Sequence, residues 1–309
     1  MDAVGTDWWA LLGPAVRLEP SGYLTTPHHA GRVLAKSHEV GALVLRPAER
    51  QVVEYSRLLD IGWKQSVFWP VVVQRRAAID DWPRVAAVAA CELHRICCLL
   101  SLEWNEPWQV LVSPEQTTAL PPTMPDNSPP PNDWWDGWSP QLGLRDEVEL
   151  RPWINEAWTE LDCSGITSSG AAALSLWHEG ILLQPAHPSF ALVAFVACVE
   201  QVARVLPELQ SIDKGRTAAL YEAAVNLVAT SNEIELMEKW RPYKLRSSTA
   251  HGSRVHGLET VFGAVIVPPF LADKPPGPVS EFVHLTVPCL SRVSRRQLFR
   301  LFGAEPTAA

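Results

Sequence analysis

The spacing of apolar positions changes character along the chain. In the first third, short β-branched and aromatic runs alternate with Gly, Pro and polar breaks. Gly41-Ala42-Leu43-Val44-Leu45 and Ser66-Val67-Phe68-Trp69-Pro70-Val71-Val72-Val73 are the clearest. Such runs bounded by turn residues predict strands. Between them Val52, Val53, Tyr55, Ser56 and Leu59 keep near-helical spacing and predict a short helix over 48–59. Asp7-Trp8-Trp9-Ala10-Leu11-Leu12, ahead of both, is apolar enough to dock on the body of the protein. Asp80-Asp81-Trp82-Pro83 has the composition of a helix start, and Val85, Val88, Ala89, Leu93, Ile96, Leu99 and Leu100 continue it with helical periodicity to about Trp104. Trp108-Gln109-Val110-Leu111-Val112 then predicts a brief strand.

From Ser113 to Pro140 the prolines at 121, 122, 125, 129, 130 and 131 exclude regular helix or sheet. This stretch reads as a linker or long surface loop. Its Trp134, Trp135 and Trp138 stand beside Asp133 and Asp136, which favours packing back on a domain over stacking on nucleic-acid bases. Beyond it the period is helical almost throughout. Helices are expected over 147–161, 170–183, 190–206 and 217–228, with Ser189 capping the third. Thr230-Ser231-Asn232-Glu233 has capping-box spacing at the head of another that runs to Trp240. Pro242 breaks or restarts that helix, so the segment after it begins at a helix N-terminus whose free N–H groups attract phosphate. Runs over 261–270 and 282–287, separated by Pro275-Pro276-Gly277-Pro278, suggest a hairpin-like insertion, and Leu290 to Phe302 closes the chain as a helix. The expected organisation is an α+β region over 1–112, a Pro/Trp-rich linker over 113–145 and a helical domain over 146–309, mainly α overall.

Composition narrows the class. Of 309 residues, 47% are hydrophobic and 19% charged, which is a globular balance rather than a disordered one. The apolar runs 86–90 and 190–199 are too short to cross a bilayer, and no signal segment follows Met1, so a soluble cytoplasmic protein without membrane contact is expected. The six cysteines lack paired Cys-x-x-Cys spacing and read as reduced core thiols. Cys91, His94 and Cys98 share a helical face, a weak metal edge at best, and His28-His29 reads as an exposed loop. No metal or other cofactor is expected.

Against a net charge of −8, residues Arg241 to Gly257 hold four cationic side chains, two histidines and no carboxylate. That island attracts anions. Arg246 offers a rigid fork of donors to phosphate oxygens, and His251 can carry a proton near neutrality. Five residues apart on one straight helix, the two diverge by about 140°. They converge only if the helix starts after Arg246 or if a second copy of the chain supplies the complementary pair. Arg292, Arg295, Arg296 and Arg300 form a second basic segment, read either as a solvated face or as an RNA phosphate track. On the helix over 190–206, Glu200 stands one turn before Arg204, the spacing of a surface ion pair.

The run Tyr243-Lys244-Leu245-Arg246-Ser247-Ser248-Thr249-Ala250-His251-Gly252, preceded by helical segments, resembles the signature of the HEPN superfamily, in particular its Apea-like branch. The resemblance covers roughly the last 120 to 140 residues. It implies a C-terminal HEPN-like helical bundle that forms a homodimer, with Arg246 and His251 of both copies facing one cleft. It also implies a metal-independent endoribonuclease, of the kind found in toxin or antiphage defence systems, or a catalytically inactive module for RNA binding or protein interaction. Tyr243, Ser247, Ser248 and Glu200 would support the site, with Glu200 orienting Arg246. Lys244, Arg254, His256, Arg292, Arg295 and Arg296 would bind RNA. An antitoxin or other defence-system protein is a possible partner, and Ser247 departs from the larger polar residue common after the arginine in active members.

Overall fold

The computed structural model describes residues 6–15, 31–48, 68–77, 81–116, 145–162, 167–213, 215–252, 256 and 281–306. The chain divides into two compact units. The first comprises the described residues up to Thr159 apart from Leu102–Asn105; the second comprises Leu102–Asn105 and Glu160 onward. Mainly α with a small antiparallel sheet near the N-terminus describes the whole, as expected.

In the first unit the sheet strands are β1 (Thr6–Pro14), β3 (His38–Val40), β4 (Leu43–Pro47), β5 (Val71–Ala77) and β6 (Trp108–Gln116). Their spatial order is β3-β4-β5-β1-β6, every pair antiparallel. The N-terminal tryptophans therefore form an interior strand, and Trp8, Trp9, Ala10, Leu11 and Leu12 are all buried. Helix α1 (Trp82–Trp104) opens where the Val85 N–H closes on the Asp81 carbonyl at 2.9 Å. It buries Val85, Ala89, Leu93, Ile96 and Leu100, and an Arg75–Glu92 ion pair ties it to β5. Contrary to expectation, α1 is long and apolar enough by length and composition to cross a bilayer, with a mean hydropathy of 1.7, and 56% of that stretch is buried inside the protein.

The first boundary of the expected linker moves because β6 continues to Gln116. The second moves because β7 (Arg145–Val148) pairs in parallel with β2 (Gly31–Leu34), and helix α2 (Trp153–Asp162) follows with its residues through Thr159 in the first unit. Gly41 shows why α2 groups there. It has φ +57 in the β3–β4 turn, its N–H donates to Asn155 Oδ1 at 2.9 Å, and any Cβ there would collide with the Trp158 indole. The helix expected over 48–59, His28-His29, the tryptophans of 134–138, Cys163 and the run 261–270 lie outside the described residues.

The second unit is built round helix α4 (Pro188–Ala203), which packs on α3 (Thr167–Leu183), α5 (Thr217–Val228), α7 (Pro242–Gly252) and α8 (Val287–Leu301). A helix covered on several sides must be apolar nearly all round. Leu192, Phe195, Val196, Val199 and Val202 are accordingly buried along one face, and Ala191, Ala194 and Cys198 extend the burial onto the next. Gly180 of α3 lets the Phe195 ring lie against the helix backbone. Helix α6 (Ser231–Trp240) begins with the expected capping box, in which the Thr230 N–H donates to Glu233 Oε2 at 2.9 Å and the Glu233 N–H to Thr230 Oγ at 3.4 Å. Ser189 is not a cap, since α4 is capped at His187 without a side-chain bond.

Residues Phe282–Thr286, expected as a strand, form a π-helical turn leading into α8. Phe282, Thr286, Val287 and Leu290 are buried while Leu285 is half exposed, a helical spacing rather than an alternating one. Gly180→Ala should lower the stability of the second unit by about 1–3 kcal/mol, because the new methyl overlaps a ring with no empty space to enter. Urea denaturation of the variant against the wild type measures this.

Candidate functional site

Helix α7 starts at Pro242, four residues before Arg246, so the alternative in which the helix begins after Arg246 is excluded. Arg246 and His251 leave one helix about 140° apart. Arg246 turns toward α4, where its Nη2 donates to Glu200 Oε2 at 3.1 Å. The arginine side chain is 27% exposed and the glutamate 11%. This replaces the surface pair with Arg204 and brings Glu200 to Arg246. The reason is phase: Glu200 lies on a buried face of α4, and Arg204 is exposed beyond the helix end. Arg246 Nε is buried without a hydrogen-bond partner, so what the guanidinium can offer a ligand is its exposed part rather than that nitrogen.

His251 stands in solvent on another face. Lys244, Ser247 and His251 are all exposed, at steps of three and four along α7, while Pro242 and Thr249 are buried. A cation, a hydroxyl and an imidazole thus share one accessible stripe. Ser248, beside it, is held: its hydroxyl donates to the Leu245 carbonyl at 2.8 Å and lies 2.8 Å from His256 Nε2. A hydroxyl has one proton, so with that proton on Leu245 the imidazole supplies the other. Ser248 is therefore not activated as a nucleophile. His256 is fixed in turn by its backbone N–H, which donates to Ser189 Oγ at 2.8 Å, and by the Phe282 ring, 6.0 Å away. The spacing of Ser189 from Pro188 suggested a cap; only the packing of α4 beside the end of α7 reveals its other use.

Tyr243 is positioned by a 2.7 Å hydrogen bond between its hydroxyl and Thr217 Oγ, with its ring centroid 5.4 Å from that of Tyr221. Arg254 lies outside the described residues. The basic segment of α8 does not form the expected phosphate track. Arg295 is buried; its Nε and Nη2 donate to the carbonyls of Leu102 and Glu103 at 2.9 Å each, and it stacks on Phe299. Arg296 pairs with Glu233 and donates to the Val228 carbonyl at 3.1 Å. Arg300 pairs with Glu208 at 2.5 Å. Arg292 is 57% exposed and 3.7 Å from Glu233, so it is the most open of the four to a ligand. Arginine was the right residue for these positions because its fork satisfies several acceptors at once.

Burial raises the Glu233 carboxyl, but its bonds with Thr230 and the Arg296 guanidinium outweigh that effect and hold it below the usual value. The chain matches no protein-family model, no curated protein and no solved structure.

Two outcomes follow from these contacts. Glu200→Ala should cost about 2 kcal/mol, the usual loss for a hydrogen bond to a charged group, read by urea denaturation, because it strands a half-buried guanidinium. Since the folded Glu233 is more acidic than its ordinary value of 4.5, its network contributes stability above that pH and loses it as acid is added below. The melting temperature of the wild type should therefore fall more steeply below pH 4.5 than that of Glu233→Gln.

Proposed function

We propose that the second unit is a HEPN-type, metal-independent endoribonuclease that works as a homodimer. The observation that carries this reading is the Glu200–Arg246 pair, which anchors the guanidinium by one nitrogen and leaves the side chain partly exposed, on the helix whose exposed stripe presents His251. Because the two side chains diverge on one helix, the shared cleft holds two Arg246–His251 pairs, each taking the arginine from one copy and the histidine from the other.

In the reaction His251 removes the proton from a ribose 2′-hydroxyl, and the 2′-oxygen attacks the adjacent phosphorus. The P–O5′ bond breaks, and the departing 5′-oxygen takes a proton from an imidazolium. Arg246 stabilises the charge that gathers on the non-bridging phosphoryl oxygens. Lys244 and Ser247 hold the neighbouring phosphate and sugar along the same stripe. The products are a 2′,3′-cyclic phosphate and a 5′-hydroxyl, and DNA resists cleavage for want of the attacking hydroxyl.

The second reading is a catalytically inactive module that binds RNA or a partner protein through the same stripe. It is favoured by the divergence of Arg246 and His251 and by the carboxylate that neutralises Arg246. A toxin or antiphage role, with an antitoxin or defence-system partner and a cytoplasmic site of action, is the setting in which either reading would operate.

In chelator, the wild type should cleave single-stranded RNA with those end groups, and His251→Ala should be slower by about 100-fold or more. Mixing equal amounts of Arg246→Gln and His251→Ala chains, each nearly inactive alone, should restore roughly a quarter of wild-type activity, since half the dimers are mixed and each of those has one intact Arg–His pair of two. Cleavage that depends on added divalent metal, or equal cleavage of a 2′-deoxy strand, would rule the mechanism out. RNA binding unchanged in His251→Ala, with no cleavage by the wild type, would favour the second reading.

A further inference from the structure

Helices α5 and α6 and the first turn of α7 enclose an open groove of about 690 Å³. That is ample for a ligand the size of a nucleotide. Its floor is apolar and aromatic, made by Tyr221, Val225 and Met237, all buried, and by the Tyr243 ring. The Tyr243–Thr217 hydrogen bond sets that ring in place before any ligand arrives. Arg241, in the left-handed conformation at φ 48, makes the turn from α6 into α7 that closes this end of the groove. Non-glycine residues held in that conformation cluster at functional sites.

The polar groups are arranged by sign. Two cations, Arg241 and Lys244, stand together at the α6–α7 junction, and two carboxylates, Glu222 and Glu238, stand one on each helical wall. All four are exposed, and their side chains have no partner among the described residues. The Tyr221 hydroxyl is buried and also lacks one. A ligand that suits this groove is flat, has adjacent N–H donors for a carboxylate, and has an anionic end for the cations. Among the common RNA bases, guanine alone presents a ring N–H beside an exocyclic amine, two parallel donors for one carboxylate. Aromatic side chains stack on any base, so the floor supplies affinity and the carboxylates supply choice.

We propose that this groove is a guanine-binding subsite, occupied by a guanine of the RNA strand whose phosphates run along the Lys244–Ser247–His251 stripe. One of Glu222 and Glu238 takes the N1–H and an N2–H of the Watson–Crick edge and the other takes the remaining N2–H, the tyrosines stack on or beside the ring, and Arg241 and Lys244 take the phosphate. The inference rests on the ribonuclease reading for the source of the guanine, because Lys244 belongs to both the groove and the stripe.

Calorimetric titration of the full chain tests it, using the four 5′-mononucleotides and two uncleavable 2′-O-methyl heptamers, all adenine or with one central guanine. Guanosine monophosphate should bind at least tenfold more tightly than the other three. The guanine heptamer should bind more tightly again, and the double variant Glu222→Gln/Glu238→Gln should lose the preference. Lys244→Ala should weaken all ligands alike. Equal binding of the four mononucleotides, or a preference unchanged in the double variant, would overturn the subsite. A free nucleotide bound as tightly as the guanine heptamer would overturn its assignment to RNA. A chain that binds guanine as expected yet cuts no RNA in chelator upholds the groove and removes the ribonuclease; one that cuts RNA with no regard for guanine does the reverse.

Discussion

Helix α4 is the constraint on which the second unit depends. Buried against four other helices, it can carry a carboxylate at Glu200 only if a cation reaches it, and Arg246 of α7 does so. An ionised group removed from water without such a partner is costly enough to unfold or neutralise. The pair therefore sets the rotation of α7 about its own axis. Once Arg246 faces inward, the stripe bearing Lys244, Ser247 and His251 faces solvent, and the first turn of α7 closes the groove between α5 and α6. The chemistry open to the unit follows from where one glutamate had to be satisfied.

The two basic segments show how differently the same residue type is used. On α8, Arg295 and Arg296 answer unpaired backbone carbonyls and Glu233, and Arg300 answers Glu208. These arginines close gaps in hydrogen bonding that a shorter cation would leave open. The cations around the start of α7 have no such demands on them, and Lys244 and Arg241 remain in solvent. In a chain of net charge −8, that difference leaves exposed positive charge at the start of α7.

The first unit follows a different logic. Its interior strand β1 is buried along the residues from Trp8 to Leu12, and β5 and β6 pair with it on either side. The Gly41 turn admits Trp158 from a helix more than a hundred residues later, so sequence distance and membership of a unit separate. A boundary drawn at the change of composition therefore fell short of Thr159.

The local elements were legible in the chain because they depend on local physics. The Thr230–Glu233 capping box, the apolar period of α4 and the helical run of α1 each need only neighbours within a turn or two to be recognised. The basic island was legible for the same reason, as a local excess of one charge. Tertiary structure decided the rest: that Glu200 meets Arg246 rather than Arg204, that Ser189 holds His256 rather than a helix end, and that the α8 arginines turn inward. Each of those outcomes depends on which face of a helix meets which neighbour. The period of a sequence states that a face is apolar, but only the packed bundle determines the acceptor or charge that lies across from it.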